Sequence, residues 1–163
     1  MFGFGKKARA AEAIRRGVRA SLTGAYLHPD QIATFGLNKR ASAWLYTEAI
    51  SHHIYALGYV SARALNEEAW ATSAFFIDSV VDGMKEASKR DGPSVDQLSS
   101  IVLKRFVEFE SFSGQDRISG VHYRSSAHLV AKQDSTADIE TIARVLKTST
   151  DQYVADARQM FCV

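Results

Sequence analysis

The chain is poor in residues that cross-link or interrupt. Its one cysteine, Cys162, cannot form an internal disulfide, so oxidation contributes nothing to the fold. Such usage suits a reducing compartment, and a cytoplasmic protein is the expectation. There are two prolines in 163 residues, Pro29 and Pro93, so long helices can run through most of the chain. Strand-like alternation bounded by turn signals is missing, which argues against a sheet. The first thirty residues hold no apolar run of seven, because arginines interrupt the alanines, and no secretory signal is expected.

Catalytic signatures are missing as well. The sequence has no Gly-x-Ser-x-Gly elbow and no Gly-rich phosphate loop. The lone thiol sits next to the C-terminus, in a poor setting for a nucleophile. Helical di-iron proteins carry Glu-x-x-His pairs, and this chain has none. Glu48 and His52 could supply two metal ligands from one helix, but His53 points about 100° away from His52. No metal and no cofactor are expected, and the balance leans against an enzyme.

What is present is an ordinary globular composition, 46% hydrophobic and 23% charged. At this length one domain with a sizeable core is expected. The formal net charge of +2 hides an asymmetry. Residues 1–20 carry Lys6, Lys7, Arg9, Arg15, Arg16 and Arg19 against Glu12 alone. The rest of the chain is mildly acidic. Basic residues beyond Ala20 are scattered and outnumbered, so a nucleic-acid partner is not expected.

The most informative stretch is Ala41 to Val60, where Glu48 is the one formally charged residue of twenty. On a helix its apolar side chains point in nearly all directions. A helix apolar all round is buried on most sides, so this segment is read as the centre of the molecule. Glu48, two histidines, Thr47 and two serines argue against its crossing a membrane.

Taken in order, Lys6 to about Ala20 reads as a helix with Ala11, Ile14, Val18 and Leu22 on one face. Pro29 suits a first helical position, with His28 before it and Gly36 as a left-handed stop. Asn38 can cap a central helix over about 39–64. Asn66 is read as the cap of the next helix, with Glu67 and Glu68 in its first turn and Trp70, Ser73, Ile77, Val80, Val81 and Met84 on its inner face. Asp91-Gly92-Pro93 marks a turn. Ser94 with Gln97 forms a capping box, opening a helix whose inner face is Val95, Leu98, Val102, Phe106 and Phe109, widened by Leu103 and Val107. Ser113-Gly114 is read as its end. Residues 115–131 read as a helix broken near Gly120. Ser135-Thr-Ala-Asp138 reads as a cap for a last helix over about 136–160, with Ile139, Ile142, Leu146, Tyr153 and Ala157 inside and Glu140 paired with Arg144 outside. The expectation is an all-α, single-domain helical bundle of five to seven helices around the central helix. Residues 1–22 form a basic amphipathic segment and 23–163 the bundle.

Two groups of residues are functional candidates. Glu48, His52, Tyr55 and Tyr59 follow i, i+4, i+7, i+11 spacing and share one face of the central helix. They could line a small-molecule pocket, with Glu48 orienting His52 and the phenols binding a ligand; a self-satisfied Glu–His pair with tyrosines at the rim is the plainer account. The second group is the N-terminal segment, with Phe2, Phe4, Lys6, Lys7, Arg9, Arg15, Arg16 and Arg19, and Phe75 on an otherwise polar helix face. A basic stripe behind two aromatics suits an anionic membrane surface, a partner protein, a cleaved organellar presequence, or simply a terminal helix packed on the bundle. The functional expectation is a non-catalytic interaction module that meets a protein partner or a second copy of itself. A ligand-binding or enzymatic bundle and a peripheral membrane protein are the alternatives.

Overall fold

A computed structural model describes residues 2–66, 73–87, 95–112 and 120–162, with side chains from Gly5 onward. The described residues form seven helices and no strand: α1 (Phe2–Leu22), α2 (Pro29–Ala33), α3 (Lys39–Leu65), α4 (Ala74–Ala87), α5 (Val95–Ser111), α6 (Val121–Ala131) and α7 (Ile139–Phe161). The all-α bundle is as expected, and α3 is its axis. α1, α2, α5, α6 and α7 all pack against α3, while α4 packs on α1 and α5. The expected turn at 91–93, the Ser94 cap, the stop at Ser113-Gly114, and Glu67, Glu68 and Trp70 lie outside the described residues.

The helix ends follow from local chemistry. His28 caps α2: its Nδ1 accepts from the Asp30 amide, and its own amide donates to the Gln31 side chain. Gly36 is left-handed at φ 64°. Asn38 accepts the amides of Arg40 and Ala41 at 3.0 and 2.9 Å and starts α3. Asn66 closes α3 rather than opening α4. It sits at φ 59°, a left-handed position that asparagine tolerates better than most side chains, and its amide bonds to carbonyls of the last α3 turn. Ser73 Oγ instead accepts the Phe76 amide at 3.2 Å at the start of α4. Gly120, at φ 79°, precedes α6 where a break was expected. Asp138, not Ser135, caps α7 by accepting from Glu140 and Thr141. Glu140 pairs with Arg124 of α6 instead of Arg144.

The core has two apolar clusters. One gathers Ile14, Val18, Ile54, Leu57, Phe76, Val80, Met84, Val102, Phe106, Phe109 and Tyr153 from α1, α3, α4, α5 and α7. The other gathers Leu27, Ile32, Ala41, Leu45, Ala127, Val130, Ile142 and Leu146, on the α2–α3–α6–α7 side. Along both α3 and α7 the change from one cluster to the other falls at buried polar residues: Glu48, Ser51, His52 and His53 on α3, Ser149 and Thr150 on α7.

Two faces differ from expectation. On α4 the inner residues are Phe76, Ser79, Val80, Gly83 and Met84, and Ile77 and Val81 flank them. On α5 Val107 does not widen the core; it is 73% exposed, and Arg105 is buried in the face instead. The basic segment 1–22 is part of the bundle. Ile14 and Val18 are buried in the first cluster, and α4 lies so close that a Cβ on Gly83 would meet Arg15 Cα at 3.1 Å and Val18 Cβ at 3.0 Å. Arg15 and Arg19 pair with Glu12 and Glu86. Phe75 is half-buried against the first cluster, with Lys7 Nζ 5.8 Å from its ring centre. So Phe75 makes a contact between α1 and α4.

Candidate functional site

The row Glu48, His52, Tyr55, Tyr59 is divided into an inner and an outer half. At the inner end Glu48 is fully buried, and burial of a lone carboxylate would be costly without a partner. Arg105 of α5 supplies it: Nε donates to Glu48 Oε2 at 3.0 Å, and the guanidinium is itself buried. A second donor, Ser126 Oγ of α6, reaches the same oxygen at 2.5 Å. Burial raises the Glu48 carboxyl above its ordinary range, and the Arg105 charge and the Ser126 hydrogen bond oppose that rise. Arg105 also reaches outward to Glu108, so it ties the interior to the surface of its own helix.

Ser126 joins Glu48 to His52, whose Nε2 lies 2.9 Å from the hydroxyl oxygen. A hydroxyl has one proton to give. Ser126 gives it to Glu48 and accepts from Arg105 at 2.9 Å, so the same oxygen accepts from His52 Nε2–H. His52 is thereby held as the neutral Nε2–H form. Its ring is stacked between Phe109 (4.4 Å) and Tyr123 (4.6 Å), with His122 at 5.3 Å. Burial first, then the nearby His122, Arg105 and His53, push its pKa well below the ordinary histidine value.

This set contains a serine, a histidine and a glutamate, yet it is not wired as a nucleophilic triad. There the carboxylate orients the far nitrogen of the imidazole, and the imidazole takes the serine proton. Here the carboxylate touches the serine directly. Ser126 is also sealed from solvent, so no substrate carbonyl can reach Oγ. Nor do three His, Cys, Asp or Glu side chains among the described residues converge as a metal site would require.

The outer half is a separate group. Tyr55 and Tyr59 hydroxyls donate to Glu110 Oε1 of α5 at 2.7 and 3.2 Å, and their rings meet edge to face at 5.2 Å. Tyr59 is 41% exposed, so this group lies at the rim. Helical spacing put four residues on one face, but their height along the rod separates them.

His53, one residue from His52, faces the other way and builds a second polar contact. Its Nδ1 lies 2.9 Å from Ser21 Oγ of α1 and its Nε2 2.7 Å from Ser149 Oγ of α7. Tyr153 stacks on it at 4.8 Å and Tyr26 meets it edge-on at 5.5 Å. Burial lowers its pKa to about 3. Tyr26 donates to Asp156 at 2.9 Å, and burial with that carboxylate pushes the phenol up to about 12.

Sequence reasoning missed Arg105, Ser126, Ser21, Ser149 and Glu110. Arg105 alone left a signal: it falls inside the apolar arc formed by Leu98, Val102, Phe106 and Phe109, where an arginine needs a buried acid. The serines left none, because a buried serine and a surface serine read alike. The side chains of Phe2 and Phe4 lie outside those described. No helix among the described residues is long and apolar enough to cross a membrane. No family model, curated protein or solved structure matches this chain.

Proposed function

We propose that the chain is a non-catalytic helical module that acts through protein contact, as an adaptor, a chaperone-like protein or a self-associating protein. The observation that supports this reading is the closure of the polar interior. Glu48 (through Oε2), Arg105, Ser126 and His52 bond to one another beneath the surface and join α3, α5 and α6, where no substrate can reach them, while Glu48 Oε1 is buried without a hydrogen-bond partner among the described residues. Meanwhile α5 offers apolar side chains outward, Val107 and Ile101.

The test is the native mass of the purified chain across a concentration series, beside that of Val107→Lys with Ile101→Lys. A stable multiple of the chain mass, or a retained partner protein, that the double variant loses supports the reading. A strict monomer with no retained protein refutes it. A ligand mass released on denaturation also refutes it and returns attention to the Tyr55–Tyr59–Glu110 rim.

A further inference from the structure

Arg105 touches two acids, one inside the bundle and one at its surface. Among the described residues Glu48 and Arg105 are the one carboxyl and the one guanidinium that are buried. Inward, Arg105 Nε donates to Glu48 Oε2 at 3.0 Å, on a side chain that is 0% exposed. Outward, Nη1 donates to Glu108, whose side chain is 43% exposed. The guanidinium lies over the Phe109 ring, 4.8 Å from its centre, a surface along which a delocalised cation can slide. The inner acid is used on one oxygen only. Oε2 takes the bonds of both Arg105 and Ser126, while Oε1 is buried with no hydrogen-bond partner among the described residues. A proton arriving at Oε1 therefore displaces no donor. It does remove the negative charge that holds Arg105 inside, and a buried cation without its counter-charge is costly. Glu108, in contact with water, is then the remaining counter-charge.

We propose that Glu48, Arg105 and Glu108 form a proton-operated charge switch, in which a proton taken up at Glu48 Oε1 releases the Arg105 guanidinium toward Glu108 and the surface. Linkage sets the direction. Burial raises the Glu48 carboxyl, and the Arg105 charge is the largest influence pulling it down. A cation that opposes protonation is opposed by it in turn, to the same extent. Acid therefore drives Arg105 outward, and base returns it. The bundle stays closed, because Ser126 still joins Glu48 to His52 and α5 remains anchored by Val102, Phe106 and Phe109. The outward state adds a positive charge to the helix that carries exposed Lys104 and Val107, so a proton in the core is read out as surface charge. The other titratable groups on this side are accounted for. On α3, His52 is kept neutral by burial first and by its charged and imidazole neighbours after that. On α6, His122 and Tyr123 lie against the His52 ring at 5.3 and 4.6 Å, and burial pushes the Tyr123 phenol up to about 12. From α7, Thr150 and Asp151 act on Tyr123. This inference does not rest on the protein-contact reading.

The experiment is a nuclear magnetic resonance titration of the full chain downward from pH 7. It follows the Glu48 carboxyl carbon and the broadening of Arg105 Nε–H by a soluble paramagnetic agent, which reports exposure. Arg105 should be shielded at pH 7 and become exposed with the Glu48 midpoint, which should lie above the ordinary carboxylate value of about 4.3. Glu48→Gln, neutral at every pH, should leave Arg105 outward at pH 7, where phenylglyoxal should modify it about tenfold faster than in the native chain. Glu108→Lys gives the outer station the wrong sign and should keep Arg105 shielded through the Glu48 transition. His122→Gln removes the imidazole whose protonation would push Arg105 in the same sense, and the transition should persist. An Arg105 that stays shielded after Glu48 titrates, a bundle that unfolds before Glu48 titrates, exposure in Glu108→Lys as complete as in the native chain, or a transition lost in His122→Gln would each overturn the proposal. If Glu48→Gln does not fold, the native titration decides by itself.

Discussion

Two neutral histidines locked inside a small bundle make its stability depend on pH in a calculable way. His53 has a folded pKa of about 3, and His52 lies well below the ordinary value of 6.5, chiefly because both rings are buried. Below pH 6.5 the unfolded chain binds protons that the folded chain cannot take up, so folding loses free energy as pH falls. For His53 the loss continues to about pH 3. Between pH 7 and pH 5 His53 alone costs about 2 kcal/mol, and His52 adds to the loss in the same direction. That is a large share of the stability of an ordinary domain, which is roughly 5–15 kcal/mol. Asp134 and Asp138 are held low by hydrogen bonds to nearby amides and hydroxyls, so their acid-linked loss begins only near 3.8 and leaves this window alone. Glu48 acts in the opposite sense: its raised pKa means that the folded form gains a proton first, which offsets part of the loss. The assay is urea unfolding at pH 7 and pH 5 for the native chain and for His53→Gln, whose amide can still meet Ser21 and Ser149 but does not titrate. The native midpoint should fall strongly at pH 5, and His53→Gln should remove about 2 kcal/mol of that loss. A native chain equally stable at both values, or a variant with the native pH slope, would refute the argument.

Three further outcomes follow from the packing. Arg105→Leu should cost about 3–5 kcal/mol in thermal unfolding, since it strands Glu48 in the interior; adding Glu48→Leu should recover much of that loss. Gly83→Ala should cost about 1–3 kcal/mol, because the atoms in its way include the Arg15 backbone, which can move only by parting α1 from α4; a urea midpoint measures it. Asn66→Ala should lose about 1 kcal/mol and Asn66→Gly should lose less, the difference tracking the left-handed backbone that ends α3.

The fold was largely legible because helices announce themselves by period and by caps. The all-round apolarity of Ala41–Val60 predicted the axis, and Pro29, Gly36, Asn38 and Gly120 marked boundaries where the backbone needed them. Asn66 was misread because asparagine suits both a helix start and a left-handed helix end, and only the backbone angle decides between them. The α4 face was misassigned because it was centred on Ile77 and Val81, whereas Phe76, one turn before Val80, and Gly83 lie on the face that is buried. The candidate site was half legible. Glu48 and His52 do share a polar cluster, but Ser126, 78 residues from Glu48, is the atom that joins them, and no periodicity reports so distant a partner. Arg105 could have been matched to Glu48 by elimination, as two charged residues each set in an apolar face.

The band of imidazole, hydroxyl, carboxylate and guanidinium groups between the two apolar clusters also bears on alignment. Aliphatic side chains accept many near-equivalent arrangements, whereas a hydrogen bond holds at one length and in one direction. Ser21, Ser126, Ser149 and Arg105 reach the α3 residues from four different helices. Sliding or rotating any of these helices by a fraction of a turn would break one of those bonds inside the protein, where water cannot replace it. The band thus works as a keyway. It gives up some of the stability an all-leucine layer would supply, and in return it lets α1, α5, α6 and α7 meet α3 in a single register.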